Sequence, residues 1–473
     1  MFIVMVVVFI LGYLAIALEH PLRVDKAIPA LAIGSLLWVL YIFGAYDIFT
    51  AGLSEAWNAY SHGGDHHGEN GIQSMRHFIV DKEIIHHLGE ISEILFFLLG
   101  AMTIVEVIDK HDGFKIITDR IKTTKKVKLL WILSVLTFFM SAALDNLTTT
   151  IVMVALLRKL ISDKETRWFF ASMVVLAANA GGAWSPIGDV TTIMLWIGGQ
   201  VTTGSIITHV IIPSLFTMVV PLILLSFTLK GNVKRPEIDE NEKIYTQPYE
   251  RRLMLILGVC GLLFVPVFKT ITHLPPYMGM LLSLSIIWLV SEIMHKDKPD
   301  EVKRKLKVIY ILEKVDTPTI FFFLGILSAV AALQSAGQLS VLAGWLDENL
   351  GNIFLIDMAI GVLSAVVDNV PLVAGAMGMY PIEDAASIAA MTEPAAVEYA
   401  EYFLQDGLFW EFLAYCAGTG GSILIIGSAA GVAAMGMEKI DFIWYMKRIS
   451  LLALLGYVAG AGVYYLQTLF WLG

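Results

Sequence analysis

Apolar runs that are each long enough to cross a lipid bilayer follow one another along nearly the whole chain of 473 residues. Each run has roughly 18 to 25 residues, and about 20 helical residues cross the ~30 Å hydrocarbon layer. Backbone groups in that layer need partners within the protein, so the runs are predicted to be α-helices. Only 16% of the residues are charged, against about 25% in soluble proteins. The chain is therefore predicted to be an all-α polytopic membrane protein without a separate soluble domain.

The first apolar segment, MFIVMVVVFILGYLAIAL (1–18), has neither a basic start nor a small-residue cleavage site. It is predicted to be a transmembrane helix rather than a signal peptide. Cys260 and Cys416 both lie in apolar runs, which indicates neither a disulfide framework nor a metal site. The sequence shows no convincing nucleophile–base pair. We therefore predict that the chain is not an enzyme, needs no cofactor and binds no nucleic acid.

The basic residues predict which segments face the cytoplasm. Of the 32 Lys and Arg residues, 29 lie in six connecting segments, 19–26, 109–128, 158–167, 230–252, 295–316 and 437–448. An excess of basic residues marks cytoplasmic segments, so the N-terminus is predicted to face outward. The transmembrane spans are then predicted near 1–18, 27–44, 90–108, 166–198, 205–229, 253–268, 276–294, 317–335, 408–436 and 449–472.

Two further apolar segments, 129–157 and 353–380, must leave the membrane on the side from which they entered. The first is flanked by basic segments at both ends, and the second by segments without Lys or Arg. Each has Asp-Asn near its middle, Asp145-Asn146 in one and Asp368-Asn369 in the other. We predict two re-entrant helical hairpins whose tips meet inside the bundle, because non-helical backbone at membrane depth has to be buried in protein or line a wet cavity.

A weak internal repeat relates the two halves of the chain. Three pairs of segments match in the same order: SAALDN (141–146) with SAVVDN (364–369), ILFFLLGAM (94–102) with TIFFFLGIL (319–327), and GGAWSPIGD (181–189) with GGSILIIGS (420–428). The predicted topology runs the two halves in opposite directions, which is the inverted-repeat architecture of many secondary transporters. The last pair also predicts that each repeat contains a transmembrane helix broken by small residues.

These assignments divide the chain into four predicted regions. They are 1–89, with N-terminal transmembrane helices and an external His-rich loop; 90–229, the first inverted repeat with hairpin 129–157 and broken helix 166–198; 230–316, linking transmembrane helices; and 317–473, the second inverted repeat with hairpin 353–380 and broken helix 408–436. The loop SHGGDHHGENG (61–71) is best interpreted as a solvated Gly-rich segment. A metal site or a pH sensor is the alternative, because His titrates near pH 6.5.

The hairpins and broken helices carry oxygen ligands suited to a hard cation such as Na⁺ or Li⁺. The first repeat contributes Asp145, Asn146, Thr148, Thr149, Asn179, Ser185 and Asp189. The second contributes Ser364, Asp368, Asn369, Ser422 and Ser428. A structural role for Asp145 and Asp368, as caps of helix N-termini, is compatible with this prediction.

Paired acids at membrane depth also predict proton chemistry. Burial and a neighbouring negative charge favour the protonated form of a carboxylic acid, whereas a bound cation favours the ionised form. One carboxylate can then hold either H⁺ or Na⁺, which is the minimal requirement for exchanging the two ions.

The segments DNLTTTIVM (145–153) and NAGGAWSPIGDVTT (179–192) resemble the NhaD-type sodium/proton antiporters of the ion transporter superfamily. The resemblance extends over nearly the whole chain. It implies exchange of cytoplasmic Na⁺ or Li⁺ for external H⁺, in support of sodium tolerance and alkaline pH homeostasis. It further implies a homodimer in the bacterial inner membrane, with elevator-like movement of a transport domain against a scaffold.

Relatives that carry dicarboxylates with sodium typically have Ser-Asn-Thr at the hairpin tips. Here the tips read Asp145-Asn146-Leu147 and Asp368-Asn369-Val370, so the negative charge belongs to the protein rather than to a bound anion. This departure favours a cation antiporter. A Na⁺-coupled dicarboxylate or other anion symporter and an arsenite-type exporter of the same superfamily are the alternatives. The sequence leaves open the stoichiometry, the Na⁺/Li⁺ preference and the identity of the proton-carrying aspartate.

Overall fold

The computed structural model describes residues 1–17, 24–52, 54–62, 71–118, 120–236 and 245–472. Within these ranges the regular structure is helical, and the only β-type pairing is two isolated bridges. Eight of the described helices are long and apolar enough to cross a membrane. The predicted all-α polytopic membrane fold is thus confirmed. Most of the predicted His-rich loop, residues 63–70, lies outside the described residues.

The helices of the first part of the chain extend to the end of the linking spans. They are α1 (Phe2–Ala17), α2 (Ala27–Thr50), α3 (Glu55–His62), α4 (Gly71–Lys110), α5 (Lys115–Thr118), α6 (Lys126–Leu144), α7 (Asn146–Leu160), α8 (Lys164–Ala183), α9 (Val190–Ile197), α10 (Thr203–Thr228), α11 (Pro248–Thr272) and α12 (Pro276–Met294).

The remaining helices include the second hairpin and the second broken helix. They are α13 (Asp300–Leu306), α14 (Val308–Ile311), α15 (Thr317–Ser335), α16 (Gln338–Asn349), α17 (Ile353–Leu363), α18 (Asn369–Met379), α19 (Ala385–Ala389), α20 (Pro394–Glu401), α21 (Leu408–Gly420), α22 (Ala429–Glu438), α23 (Phe442–Arg448) and α24 (Ser450–Gln467). A short 3₁₀ turn, Leu312–Lys314, follows α14.

Helix α4 is much longer than the span predicted at 90–108. It begins at Gly71 and includes a π-helical turn over Ile79–Ile84. Charged residues precede position 90, among them Arg76 and Glu83, so an apolar run cannot mark where this helix starts. Hydropathy therefore finds the membrane-crossing part of α4 and misses its first five turns.

The described chain separates into two compact units. Unit 1 comprises residues 1–96, 316–352 and 371–382. Its centre is the packing of α2 against α15, where the Tyr41 hydroxyl donates a 3.0 Å hydrogen bond to the Ser335 carbonyl. The Trp38 indole donates to the Ser328 hydroxyl at 3.0 Å. Buried aromatic groups of this type usually find such partners.

Unit 2 comprises residues 97–315, 353–370 and 383–473, and it contains both Asp-Asn tips and both broken helices. In each predicted repeat the hairpin's first arm lies directly on the broken helix. A Cβ at Gly181 would lie 2.1 Å from the Phe138 carbonyl oxygen, and a Cβ at Gly420 would lie 2.0 Å from that of Gly361. Only glycine permits this approach of two helix backbones.

A second pair of contacts recurs at equivalent positions of the predicted repeat. The Ser141 hydroxyl donates to the Ala178 carbonyl at 2.6 Å, and the Ser364 hydroxyl donates to the Ala417 carbonyl at 3.1 Å. These matched contacts support the internal repeat that the sequence suggests. The opposite orientation of the two repeats across the membrane stays a prediction, as do the four region boundaries.

A buried histidine pair joins the ends of α4 and α12. His111 Nε2 lies 2.8 Å from His295 Nε2, and His111 Nδ1 lies 2.6 Å from the Val107 carbonyl oxygen, which can only accept. His111 therefore carries its proton on Nδ1, and His295 donates to it from Nε2. Burial lowers the pKa of His111, and burial together with the charges of His111 and Lys298 lowers the pKa of His295 to about 4.

We expect Gly181→Ala to destabilise the protein, because the new methyl group would force the α6 and α8 backbones apart. Overpacking of this kind costs about 1–3 kcal/mol. Gly462→Ala in α24 is the matched control, since a Cβ there meets nothing within 4 Å and alanine raises helix propensity. Thermal unfolding of the purified protein in detergent measures both variants. Equal midpoints for Gly181→Ala and Gly462→Ala would contradict the close packing.

We also expect stability to fall as the pH drops from about 6.5 to about 4. The unfolded chain protonates His295 near its ordinary pKa of about 6.5, whereas the folded chain keeps it neutral down to about pH 4. The unfolded state thus binds more protons in this window and is favoured there. In His295→Asn, the unfolding temperature should fall less as the pH drops from about 6.5 to about 4. In His273→Asn, which changes an exposed residue, it should fall as much as in the wild type. An unchanged slope in His295→Asn would refute the assignment.

Candidate cation site

Asp145 forms the tip between the two arms of the first hairpin. Helix α6 ends at Leu144 and α7 begins at Asn146. Asp145 has a φ of 81°, in a region that residues other than glycine rarely adopt. Its carboxylate accepts hydrogen bonds from the Thr148 backbone N–H and the Thr148 hydroxyl, both at 2.8 Å. The helix cap weighed from the sequence is therefore present, and it fixes the carboxylate at the tip.

Asp189 caps the N-terminus of α9 at the break between α8 and α9, as Asp145 caps α7. It is 1% exposed, and its Oδ1 accepts from the Thr191 N–H at 2.9 Å and from the Thr191 hydroxyl at 2.7 Å. Sequence reasoning missed Thr191, although a Thr two residues after an Asp is a signal of such a cap. In the second repeat, Ser428 caps α22 by accepting from the Gly431 N–H at 3.1 Å.

Asn146 links the hairpin tip to the broken helix. Its side-chain amide donates to the Asn179 Oδ1 at 3.1 Å and to the Asp189 carboxylate. Asn146 is 5% exposed and Asn179 is fully buried, so water competes little with these bonds. Buried amides need such partners, because an unsatisfied polar group costs about 1–3 kcal/mol.

Asn179 then connects the first predicted repeat to the second. Its amide nitrogen donates to the hydroxyls of Ser422 and Ser428, each at 2.9 Å. Both serines are almost completely buried, at 3% and 2% exposure. The side chains of Asn146, Asn179, Asp189, Ser422 and Ser428 thus form one continuous hydrogen-bonded network, which we call the asparagine network.

The second hairpin tip has a longer break than the first. Helix α17 ends at Leu363 and α18 begins at Asn369. The Asp368 carboxylate accepts from the Val370 N–H at 3.2 Å, and Asn369 is buried. The Ser364 hydroxyl donates its hydrogen bond to the Ala417 carbonyl. This bond holds the hairpin against α21.

Asp145, Asp189 and Asp368 of unit 2 interact through their charges. The negative charges of Asp145 and Asp368 both act on Asp189. These acids are thus near enough for their charges to interact, although no three acids among the described residues are placed to hold one ion together. Like charges repel strongly in a poorly hydrated interior, so a cation bound near these acids would lower their mutual repulsion.

Two further hydroxyls near the first tip are available as ligands. Thr149 Oγ1 and Thr150 Oγ1 are buried and have no hydrogen-bond partner among the residues that the structure describes. Thr149 was predicted from the sequence, and Thr150 was missed although it belongs to the same run of threonines. Ser185, by contrast, donates to the Ala142 carbonyl at 2.5 Å.

The donor set is made of carboxylates, amides and hydroxyls. No group of three or more His, Cys, Asp or Glu side chains poised for a metal occurs within the described ranges. The segments 141–150, 178–192, 364–370 and 417–431 contain no Lys or Arg. Oxygen ligands of this kind fit a hard cation. The role of each residue as a ligand stays a prediction.

We expect Asn179→Ala to weaken both the fold of unit 2 and its response to sodium. The substitution removes the partners of Asn146, Ser422 and Ser428, at about 1–3 kcal/mol for each buried group left unpaired. Ser172→Ala is the matched control, because Ser172 lies buried on the same helix and, among the described residues, its hydroxyl bonds to the Trp168 carbonyl alone. The unfolding temperature with and without NaCl measures the effect, since a ligand stabilises the state that binds it. A wild-type sodium response in Asn179→Ala would contradict the proposed site.

Comparison with known proteins identifies the family to which the chain belongs. The CitMHS family, described as "Citrate transporter", matches residues 6–399. Two Arabidopsis thaliana proteins are similar over 97% of this chain: "Sodium/proton antiporter 1", 44% identical with 71% of its length covered, and "Sodium/proton antiporter 2", 42% identical with 98% covered. "Na(+)/H(+) antiporter NhaD" of Alkalimonas amylolytica is 26% identical over 98% of this chain and 89% of its own. The chain belongs to the CitMHS transporter family, among its NhaD-type sodium/proton antiporters.

Proposed function

We propose that the protein is a secondary active transporter that exchanges cytoplasmic Na⁺ or Li⁺ for external H⁺ at the asparagine network and the adjoining tip aspartates. One observation supports this most strongly. Asn179 connects Asp189 and Asn146 of one predicted repeat with Ser422 and Ser428 of the other, so both halves contribute oxygens to a single site. The names of the relatives agree with this function.

The proposed coupling follows from the chemistry of the carboxylates. In the proposed exchange, Na⁺ binds to carboxylate oxygens among Asp145, Asp189 and Asp368, and a proton bonds to one of the same oxygens. A cation lowers the repulsion among the acids, and so does a proton, but each excludes the other from the shared oxygen. Exchange results when the site opens alternately to the two sides of the membrane, loaded with Na⁺ in one direction and with H⁺ in the other.

The family description makes citrate the second candidate substrate. A carboxylate anion at this site would meet three acids, and the four surrounding segments contain no Lys or Arg to balance its charge. A symporter would need bound sodium ions to neutralise both the protein and the anion. The acidic tips therefore favour the antiporter over an anion symporter or an arsenite-type exporter.

The charge pattern adds an orientation across the membrane to the proposal. With 29 of the 32 Lys and Arg residues in the six basic segments, the N-terminus faces outward and those segments face the cytoplasm. A homodimer in the bacterial inner membrane, as in the resembling family, completes the proposal.

We expect Asp145→Asn and Asp368→Asn to weaken sodium exchange by about 10- to 100-fold in half-saturating Na⁺, since hydrogen bonds or contacts to a charged group contribute about 1.5–3 kcal/mol. The assay is Na⁺-, Li⁺- and K⁺-induced dequenching of a pH-sensitive dye in everted vesicles, with uptake of labelled citrate measured in parallel.

Asp163→Asn is the matched control for this assay. Asp163 also caps a helix, accepting from the Thr166 N–H at 2.8 Å, but it lies in a basic connecting segment. Normal exchange in both tip variants would refute the site, and sodium-dependent citrate uptake without proton flux would refute the antiporter.

A further inference from the structure

Asp357 is a buried acid that the proposed exchange site does not use. It lies in α17, the first arm of the second hairpin, and it is 0% exposed. Neither of its carboxylate oxygens has a hydrogen-bond partner among the residues that the structure describes. Asp145 and Asp189, in contrast, each accept hydrogen bonds from a backbone N–H and a hydroxyl.

Among the residues that the structure describes, no positive charge acts on Asp357. Helix α17 packs against α21, and the titratable side chains that its charge reaches are Cys416 of α21 and Tyr457 and Tyr464 of α24. The two tyrosine hydroxyls donate elsewhere, Tyr457 to the Met358 carbonyl at 3.1 Å and Tyr464 to the Glu411 carboxylate at 3.0 Å.

An ionised carboxylate in such a place is very costly. Transfer of an isolated charge into an apolar interior costs far more than a folded protein can supply, and the group takes up a proton instead. Asp357 is therefore a carboxylic acid in this conformation, and none of the described residues accepts its O–H. Intramembrane acids of this kind are rare outside ion pathways and proton relays.

Packing does not demand an acid at this position. The offset that aligns Asp145 with Asp368 aligns Asp357 with Ser134, which is also buried, at 1% exposure. A small polar side chain thus fills the same place in the first hairpin. The acid is a specific feature of the second hairpin.

Asp357 is also separate from the cation site. Six residues of helix, a rise of about 9 Å, separate it from Leu363 at the end of α17, and the tip begins only after that residue. Asp357 therefore lies more than one helical turn before the tip along α17.

We propose that Asp357 is a second proton-binding site of the transporter, which carries one proton in addition to the one that competes with Na⁺. The proposal rests on the exchange function proposed above. A proton from external water bonds to a carboxylate oxygen of Asp357, and the O–H bond breaks when the proton passes to cytoplasmic water. Loading and release take place in conformations in which the seam between α17 and α21 opens, because the structure seals this carboxyl from solvent.

The coupling ratio tests this proposal. The full chain is reconstituted in proteoliposomes with the membrane potential clamped by K⁺ and valinomycin, and the pH gradient that just prevents ²²Na⁺ flux is determined. We expect Asp357→Asn and Asp357→Ser to lower the ratio by one H⁺ per Na⁺, with Ser134→Ala as the control that keeps it. A wild-type ratio in both Asp357 variants would overturn the proposal while leaving the exchange function intact.

Infrared difference spectroscopy gives an independent readout. We expect the wild-type spectrum between acid and alkaline pH to contain a carboxylic acid C=O band that Asp357→Asn lacks and that Asp357→Glu restores at a shifted position. A band identical in wild type and Asp357→Asn would overturn the proposal even if the variants transport poorly. Wild-type vesicles without any Na⁺-dependent proton flux would instead refute the exchange function, and the infrared band would still decide whether Asp357 binds a proton.

Discussion

A buried carboxylate such as that of Asp189 needs partners from the protein itself, and the asparagine network supplies one of them. Asn146 donates to Asp189, and Asn179 donates to Ser422 and Ser428. Without these bonds the polar groups would face an interior that cannot hydrate them. The positions of the hairpin tip and of both broken helices therefore depend on one another, since each network member is fixed by a partner on another element.

The backbone geometry around the network follows from the same requirement. The breaks at Asp145 and at 184–189 leave helix ends at which side chains must cap free N–H groups, and Asp145 and Asp189 do so. In the second half, Ser428 takes the place of Asp189 as the cap. The two halves therefore contribute unequally to the proposed site. The first contributes Asp145 and Asp189, and the second contributes Asp368 and the two serines that Asn179 contacts.

Much of this arrangement could be predicted from the sequence because it depends on local signals. Basic residues on both sides of 129–157 required a hairpin, Asp-Asn marked its tip, and the Gly pairs at 181–182 and 420–421 marked the breaks. The pairing of Asn179 with the serines could not be predicted, because it joins residues more than 240 positions apart through the packing of α8 against α21 and α22.

Other features lacked a local signal altogether. Asp357 is the single acid in the otherwise apolar run IFLIDMAIGVL (353–363). Its counterpart in the repeat, Ser134, is not acidic, so the repeat does not indicate a functional acid at this position. The start of α4 was missed for the opposite reason, since charged residues conceal a helix that continues beyond the membrane-crossing run. Hydropathy records the average of a segment, whereas the proposed function depends on single side chains that depart from that average.

The asparagine network also limits how the site can hold an ion. A side-chain amide presents either its N–H groups or its oxygen to a given neighbour, and a cation accepts only the oxygen. Asn146 turns its N–H groups toward Asp189, so this amide and a cation compete for the same carboxylate. A cation bound to Asp189 would draw on the same negative charge that holds the Asn146 amide, and a proton on Asp189 would remove that charge. In the proposed exchange, both ions therefore act on one hydrogen bond, and Asn179 links that bond to Ser422 and Ser428 of the second predicted repeat.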